Sequence, residues 1–407
     1  MSTILCMVGP LKGLLKSSLV LCNRLATDGH DITIATPTDL GEMTAPGPLQ
    51  IERLPSASDP LAERIQAGKA LVDRVAPDLV LIDLELHEQI IPVLARKTPL
   101  ALLNTWLGLA GGEAPPLHTT LTPDRHLAIR AAWARHRFYK TRRAFVESWR
   151  DGEENWRSSL LGLARRENLV TTQTFDTSTW LYPFTYRNVP EFCLHAEELD
   201  FPGAGGSQSR YIGPMIERGG TLDLRLSAFI ETAPGPVIYG GFGSFFTADA
   251  QFLSRLFKAF ESRPDWRLIM TRGGSSVGVA TPPANIHLVD WAPQWSVLER
   301  CDAAVIHGGI NTIDECIDTL TPMIVYSGEI TDMPGNTARV AWHRLGGIGD
   351  RANDDPETIV ARLEQVMVDA DMATALNRMR DSGRSYETER VAEREIKTLL
   401  SSPHRAH

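Results

Sequence analysis

Short apolar segments alternate with amphipathic helical ones along most of this chain, and that alternation is the strongest constraint on its fold. The strand-like segments of the first half are TILCMV, DITIATP, DLVLID and PLALLN. After residue 235 the pattern begins again, with PVIYGG, WRLIMT, IHLVDW, DAAVI and MIVYS. Strands that alternate with helices at this spacing form parallel sheets with helices on both faces. The sequence therefore predicts an α/β protein built from two successive doubly wound domains.

Length and composition agree with two folded domains. The 407 residues suffice for two units of roughly 200 residues. A hydrophobic share of 43% with 22% charged residues is typical of globular proteins and excludes general disorder. Turn-rich segments suggest where the halves divide. We predict an N-terminal domain over 1–215, a linker over 216–235, a C-terminal domain over 236–385, and a C-terminal helix over 386–407 that packs back on the N-terminal domain.

Charge and cysteine content limit the possible partners. The net charge of −9 gives no reason to expect nucleic-acid binding. Five scattered cysteines without CxxC spacing predict reduced core residues and no metal site. The chain lacks the run of about 18 apolar residues that a membrane span needs, so we expect a cytoplasmic protein.

The basic stretch over 125–143 is the one region that departs from the acidic average. We interpret it as a solvated helix, and a membrane-surface contact is the less favoured alternative. We expect the helix to pack through its aromatic residues Trp133, Phe138, Phe145 and Trp149.

The segment HGGINTIDE at 307–315 carries the clearest chemical signal. It follows the strand-like DAAVI, and a glycine-rich turn that opens a helix directs backbone N–H groups at an anion. His307, Asn311 and Thr312 add polar side chains at the same turn, and Glu315 on the adjoining helical face suits the hydroxyls of a ribose. Trp291 ends an earlier strand, where an indole can stack on a planar base.

Three segments in this order resemble a known signature. WAPQ at 291–294, HGGINTIDE and TPMIVYSGEITDMPGN at 321–336 look like the donor-binding region of nucleotide-sugar-dependent glycosyltransferases. That family includes plant flavonoid glucosyltransferases and bacterial macrolide and glycopeptide glycosyltransferases. YIGP at 211–214 and PVIYGGFGS at 236–244 extend the resemblance over nearly the whole chain. It implies the GT-B fold, two Rossmann-like domains facing across a cleft, with a nucleotide sugar as co-substrate and neither a metal nor another cofactor.

The resemblance also implies roles for the nucleotide side of the donor site. Trp291 would stack on the base, Gln294 would contact the nucleoside, and Glu315 would bind the ribose. Gly309 belongs to the turn of the same donor site.

For the diphosphate and the sugar, the family pattern implies a second group of residues. His307 would bind the β-phosphate, Asn311 and Thr312 the α-phosphate, and Ser244 would reach the diphosphate from the first turn of the domain. Asp332 would bind hydroxyls of the transferred sugar. The family usually has Gln after this acid, whereas this chain has Met333, which makes a deoxysugar or another unusual donor a reasonable hypothesis.

The acceptor side departs from the family at one decisive position. GLLKSSLVLCNRLATDGH, residues 13–30, aligns without a gap to a family stretch resembling GHVNPTLALARALAERGH, and Leu14 falls on the catalytic His. An aliphatic side chain cannot accept a proton. Asp83 matches the acid that normally orients that His.

Three interpretations of this departure remain open. If the strand continues past Asp83, period-2 alternation places Asp83, Glu85 and His87 on one side, where they could supply a relocated base. The acceptor could instead arrive already ionised, as a carboxylate or an acidic phenol. The chain could also have lost catalysis and act as a nucleotide-sugar-binding helper protein.

The leading prediction is an inverting glycosyltransferase that moves a sugar from a UDP- or dTDP-sugar to a hydrophobic small-molecule acceptor. An apolar loop from Trp106 to His118, together with Gly13 and Leu14, suits an acceptor pocket. A nicotinamide or flavin oxidoreductase is disfavoured, because neither VGPLKG nor GGFGSF gives GxGxxG with an acid about 20 residues later.

Overall fold

The computed structural model describes residues 1–40, 48–110, 113–151, 155–243, 250–271, 282–328 and 331–401. The elements of the first half are β1 (Thr3–Met7), α1 (Lys12–Thr27), β2 (Asp31–Thr36), β3 (Gln50–Arg53), α2 (Leu61–Val75), β4 (Leu79–Asp83), α3 (His87–Ala95), β5 (Leu100–Asn104), α4 (His126–Asp151), α5 (Trp156–Arg166), α6 (Thr171–Thr174), β6 (Phe175–Asp176), β7 (Thr185–Tyr186), β8 (Glu191–Cys193) and β9 (Ser209–Tyr211).

The elements that follow are α7 (Leu224–Glu231), β10 (Val237–Gly241), α8 (Ala250–Glu261), β11 (Arg267–Thr271), β12 (Ile286–Val289), α9 (Gln294–Leu298), β13 (Ala303–Ile306), α10 (Ile310–Thr319), β14 (Met323–Val325), α11 (Met333–Trp342), β15 (Gly346–Ile348), α12 (Pro356–Val368), α13 (Ala370–Thr388) and α14 (Val391–Ser401).

The chain divides into two compact units. The first contains residues 1–116 and 125–215 together with the C-terminal segment that starts at Ser385. The second contains residues 117–124 and 216–384. The short segment 117–124 therefore belongs to the second unit, although the sequence places it between β5 and α4 of the first.

The first unit is organised around a parallel sheet. Among the described residues its seven strands have the order β3-β2-β1-β4-β5-β8-β9. Consecutive strands run outward in both directions from β1 and β4, so the topological switch point lies between these two strands. Helix α14 completes this core, because Ala392 and Ile396 are buried among side chains of β1, α1 and β4.

The second unit repeats the architecture with a different set of strands. Six strands of the described chain form a parallel sheet in the order β12-β11-β10-β13-β14-β15. Its switch point lies between β10 and β13, which pair in parallel from Ile238 opposite Ala303 to Gly241 opposite Ile306. These two parallel, helix-covered sheets confirm the predicted α/β class.

The stretch expected to be a plain linker contains a helix. Helix α7 lies inside 216–235, and the Asp223 side chain caps it by accepting hydrogen bonds from the backbone N–H groups of Arg225 and Leu226. The side chain of Leu226 is buried in the second unit. The glycine pair and the final APGP indicated a linker, and within it an acidic N-cap and a buried leucine stabilise this short helix.

The expected packing of the basic helix α4 was correct only for Trp133. That side chain is 1% exposed, whereas Phe138 is 64%, Phe145 70% and Trp149 82% exposed. The aromatic residues were assumed to be core residues, but at 138, 145 and 149 they recur on the outer face of the helix. No helix in the described ranges combines the length and the apolar character that a bilayer crossing requires.

Candidate functional site

The turn after β13 fixes the imidazole of His307. Its backbone N–H and its Nδ1 both lie within hydrogen-bond distance of the Gly241 carbonyl oxygen at the end of β10, at 3.2 and 3.0 Å. Because a carbonyl oxygen only accepts, Nδ1 carries the proton and donates. The two strands that flank the switch point thus hold the ring from one side.

Two glycines leave room for the opposite edge of this ring. A Cβ atom added at Gly243 or at Gly309 would come within 2.7 Å of His307 Nε2. Gly308, between His307 and Gly309 in the chain, has φ of +94°, a conformation that favours glycine. The Nε2 atom therefore faces the start of α10 between two backbone segments without side chains.

Helix α10 presents its N-terminal backbone at the same place. Its N-cap is Gly309, which has no side-chain hydrogen bond to the helix. The first N–H groups of a helix have no intrahelical acceptor, and the helix dipole makes this end positive. Asn311 and Thr312 in the first turn are half-buried. The turn can therefore bind an anion through backbone N–H groups and His307.

Burial influences the protonation of His307. It lowers the pKa of the imidazole, which the Gly241 hydrogen bond and the negative charge of Asp332 oppose only in part. The ring is therefore mainly neutral near pH 7, with its proton on Nδ1. A bound anion beside Nε2 would favour the doubly protonated imidazolium.

A hydrogen-bonded group links Thr312 and Glu315 to the neighbouring strand. The Tyr239 hydroxyl donates to Gln294 Oε1 at 2.8 Å, and Gln294 Nε2 donates to Thr312 Oγ1 at 3.2 Å and to the Glu315 carboxylate. Glu315 is buried, and burial raises the pKa of the Tyr239 phenol well above its usual value. These hydrogen bonds fix the orientation of the Gln294 amide and hold the Glu315 carboxylate at the middle of α10.

Trp291 lies just past β12 and is 64% exposed. The large exposed surface of this indole contrasts with Trp266, which is fully buried in the same unit. An exposed aromatic plane is suitable for stacking on a ligand.

Asn336 connects the turn to Asp332. Its Nδ2 donates to Asp332 Oδ2 at 2.7 Å and to the Gly308 carbonyl at 3.0 Å. Thr331 Oγ1 donates to the other oxygen of Asp332 at 2.9 Å. Sequence reasoning missed Asn336, although it is the last residue of the TPMIVYSGEITDMPGN segment.

Met333 begins α11, directly after Asp332. A Cβ atom added at Gly328 would lie 2.4 Å from its sulfur, so the thioether packs closely on that glycine. Ser244, the remaining donor-side residue expected from the sequence, lies outside the described residues.

The far half of α10 is anchored by Asp318, a second feature that the sequence analysis did not identify. Its carboxylate accepts hydrogen bonds from Arg218, Arg384 and the Trp295 indole, with the shortest contacts to each between 2.8 and 2.9 Å. Burial alone would raise the pKa of Asp318, but these hydrogen bonds lower it to about 2. The ionised Asp318 thus holds α10 in place across the working pH range.

The acid–base candidates of the first unit lie at its own switch point. Asp83 ends β4 and is buried, with Oδ2 accepting from Gly9 N–H at 3.0 Å and Oδ1 from Glu85 N–H at 2.9 Å. Burial is the main cause that raises the pKa of Asp83 to about 6. A buried carboxyl with this pKa can exchange a proton near neutral pH.

The strand does not continue past Asp83, so the expected alternation fails. The chain turns at Leu84 and Glu85, and α3 begins at His87. Glu85 is half-buried in this turn. The period-2 pattern was misleading because Glu85 already belongs to a turn and His87 to the start of α3.

His87 is enclosed by aromatic rings. Its Nδ1 lies 2.7 Å from the Tyr186 hydroxyl, and its ring centroid is 5.1 Å from that of Phe184 and 5.4 Å from that of Trp156. The side chain is 2% exposed, and burial lowers its pKa to about 3. This environment keeps His87 neutral and poorly basic.

The residues expected near an acceptor fall in different places. Gly13 is exposed at the start of α1, whereas Leu14 is buried in the core of the first unit. Trp106 is half-buried and packs on Trp180 with ring centroids 5.0 Å apart. His118 is half-buried in the segment 117–124 of the second unit. No group of three or more possible metal-ligating side chains occurs within the parts of the chain that the structure describes.

Comparisons with known proteins agree with this arrangement. Residues 262–394 match the C-terminal domain of erythromycin biosynthesis protein CIII-like proteins. The oleandomycin glycosyltransferase of Streptomyces antibioticus is 27% identical over 358 residues, which cover 80% of this chain and 74% of that protein.

Solved structures share the fold at lower identity. The glycotransferase of kitacinnamycin superposes with a TM-score of 0.72 at 20% identity, covering 98% of this chain and 99% of that one. The glycosyltransferase VinC, solved in complex with dTDP, gives a TM-score of 0.63 at 17% identity, covering 96% and 100%. The chain is therefore a glycosyltransferase with the GT-B fold, similar to nucleotide-sugar-dependent enzymes of natural-product biosynthesis.

Proposed function

We propose that this enzyme transfers a sugar, with inversion, from a UDP- or dTDP-sugar to an apolar small-molecule acceptor. The observation that carries the proposal is the position of His307 Nε2 beside Gly309 at the start of α10. Inverting transfer requires that the departing diphosphate be stabilised as negative charge develops on it. An imidazole, helix N–H groups and a positive helix end in one turn suit that role.

In this proposal the turn binds the two phosphates. His307 contacts the β-phosphate, and Asn311 and Thr312 contact the α-phosphate, with Ser244 as a further diphosphate ligand. The support is the shared turn of His307, Asn311 and Thr312, and the Gln294–Thr312 hydrogen bond that orients one hydroxyl. Preorganised donors of this kind stabilise the leaving group without reorganisation during the reaction.

The nucleoside would lie toward Gln294 and Trp291. The Glu315 carboxylate accepts from the ribose hydroxyls, and Trp291 stacks on the base with its exposed ring. The paired hydroxyls of a ribose favour UDP, because the sugar of dTDP lacks the 2′-hydroxyl. Relatives that use dTDP can have the same acid, however, and VinC was solved with dTDP, so dTDP stays as the alternative carrier.

Asp332 would bind hydroxyls of the transferred sugar. Asn336 donates hydrogen bonds to both Asp332 and the Gly308 carbonyl, so this acid is connected to the turn that binds the phosphates. These hydrogen bonds support one continuous donor site. Met333 offers an apolar thioether where the family usually has an amide, so we propose that a deoxysugar is the preferred donor. The acceptor belongs to the apolar natural products, as the name of the oleandomycin enzyme suggests.

On the acceptor side, Gly13, Leu14, Trp106 and His118 remain the proposed contacts with the aglycone. Of the three acid–base candidates, Asp83, Glu85 and His87, the carboxyl of Asp83 has the pKa best matched to neutral pH. The low pKa and the aromatic surroundings of His87 favour a structural role for it.

The function is tested by offering donors in the absence and presence of acceptors. UDP or dTDP at 100 times its Kd should stabilise the folded protein by about 2.7 kcal/mol, seen as a higher melting temperature. Release of the nucleoside diphosphate should depend on the nucleotide sugar and increase with a phenolic acceptor. Stabilisation by NAD or FAD instead of UDP or dTDP would contradict the proposal, and binding without any sugar release would indicate a helper protein.

The Gly309→Ala substitution tests the geometry of the turn. The backbone conformation at residue 309 accepts an alanine, but the added Cβ would displace the His307 ring because no space is left beside Nε2. One charge-assisted hydrogen bond to the phosphate would then be lost. We expect nucleotide affinity to fall about 10- to 100-fold in calorimetric titrations. Gly162→Ala in helix α5 is the matched control, because its added Cβ would lie 3.5 Å from Arg166 Nη1, an ordinary van der Waals contact. Equal affinity in both variants would contradict the assignment of His307.

Donor binding should weaken as pH rises. The folded protein without ligand has a lowered His307 pKa, and a diphosphate beside Nε2 raises it. Between the two pKa values binding takes up a proton, and above the higher value the imidazolium is lost. The Kd for an intact nucleotide sugar, which has no titrating phosphate near neutral pH, should therefore increase across this window. His307→Gln should bind weakly with a flat profile; a parallel slope in the variant would assign the proton to another group.

A further inference from the structure

The enzyme needs a group that takes the proton of the acceptor hydroxyl, and among the described residues of the first unit neither Leu14 nor the buried Asp83 and His87 offers an accessible one; Glu85 is half-buried in the turn after β4. Leu14 is aliphatic and buried. Asp83 is 3% and His87 2% exposed, and both side chains already make hydrogen bonds inside the unit. A base must touch the reacting oxygen, directly or through one water. These side chains would have to leave their present contacts to do so.

The segment 117–124 is fixed to the second unit at the first turn of α11. The Gly335 N–H donates to the Leu117 carbonyl oxygen at 2.7 Å. A Cβ atom at residue 335 would come within 2.6 Å of that oxygen and 2.8 Å of the Leu117 Cα. Only a glycine allows two backbones to approach this closely, so this contact fixes Leu117 of the segment against α11.

This contact places His118 close to the sugar end of the donor site. His118 follows Leu117 directly and is half-buried. Asp332, the proposed sugar ligand, is the N-cap of α11 and precedes Gly335 by three residues. Three residues of helix advance by about 4.5 Å, so the backbone of Leu117 lies roughly one turn from Asp332. Direct contact with a sugar bound there requires the His118 imidazole to extend from this segment toward Asp332.

We propose that His118 is the general base of the transfer, carried by the same unit that binds the donor. The proposal rests on the proposed function and names the group that Leu14 cannot provide. An imidazole nitrogen of His118 takes the proton from the acceptor O–H as that oxygen bonds to the anomeric carbon. The bond from this carbon to the diphosphate oxygen breaks, and the diphosphate leaves with the electron pair. His118 then releases its proton to water.

The proposal moves the base from the first unit to the second. In the family pattern implied by the sequence, the base stands at the position of Leu14, which lies in the first turn of α1. With His118 as the base, the proton acceptor, the sugar ligand Asp332 and the phosphate ligand His307 all belong to the second unit. Their relative positions then depend on β13, α10 and α11 of that unit.

The test compares His118→Gln, His118→Ala and Asp83→Asn with a control, His126→Gln, an exposed histidine at the start of α4. Transfer from the donor that the wild type uses is measured with 4-methylphenol and with the far more acidic 4-nitrophenol. Hydrolysis of the donor without acceptor is followed in the same variants, with water as the attacking group. Melting temperature and the Kd for UDP and dTDP are recorded for each protein.

We expect His118→Gln to lower kcat for 4-methylphenol about 100- to 10,000-fold and to affect 4-nitrophenol much less. The Kd for the nucleotide should stay within twofold of the wild type. The rise of kcat/KM with pH in the wild type should disappear in this variant, and added imidazole should restore part of the activity of His118→Ala.

Two results would overturn the proposal. One is a His118→Gln enzyme as active as His126→Gln on both phenols and in hydrolysis. The other is a rise of kcat/KM with pH that the His118→Gln enzyme retains and the Asp83→Asn enzyme loses, which would identify Asp83 as the base. Failure of the proposed function is a separate result, since it requires a wild-type enzyme that neither binds UDP or dTDP nor releases either from a nucleotide sugar.

Discussion

The hydrogen bond between His307 Nδ1 and the Gly241 carbonyl is the interaction on which the donor site depends. It joins the ends of β10 and β13 at the switch point of the second sheet, where parallel α/β sheets bind their ligands. Because Nδ1 is occupied, only Nε2 can face a ligand, and the glycines at 243 and 309 leave it the space. The position of α10 follows, since the helix begins three residues after this histidine.

The first unit has a related contact at its own switch point, with opposite chemistry. There the carboxylate of Asp83 at the end of β4 accepts from Gly9 after β1. The two switch points thus place a histidine in one unit and an acid in the other, each tied to the neighbouring strand. In the first unit the adjacent helix contributes the apolar Leu14, so the acid has no histidine to orient. In the proposed mechanism the turn at His307 stabilises the leaving group, and the proton acceptor is assigned to His118 of the second unit.

The sequence predicted the fold class, which the structure confirms, and it located the proposed donor turn, because both depend on local patterns. Apolar strands bounded by glycines and helices define the sheets, and HGGINTIDE combines its ligands within nine residues. The roles of Asn336 and Asp318 depend on partners 28 to 100 residues away, in Gly308 for the first and Arg218 for the second, and no local pattern signals them. The aromatic residues of α4 show that residue type alone does not predict burial, since Trp149 is exposed and Trp133 is buried in the same helix.

The assignment of segment 117–124 to the second unit was the least accessible to sequence reasoning. It lies between two elements of the first unit, and only the close approach of Gly335 to Leu117 reveals where it packs. The same contact changed the place of His118 from an expected acceptor-pocket residue of the N-terminal domain to a neighbour of the proposed sugar ligand.

The central claim, that a nucleotide diphosphate binds at His307 Nε2, is tested most directly by ¹⁵N NMR of histidine-labelled enzyme, with His307→Gln used for assignment. The account predicts that saturating UDP or dTDP near pH 7.5 moves the Nε2 resonance of His307 from the unprotonated to the protonated range while Nδ1 remains protonated. An Nε2 resonance that stays unprotonated at saturation with both nucleotides would contradict the account.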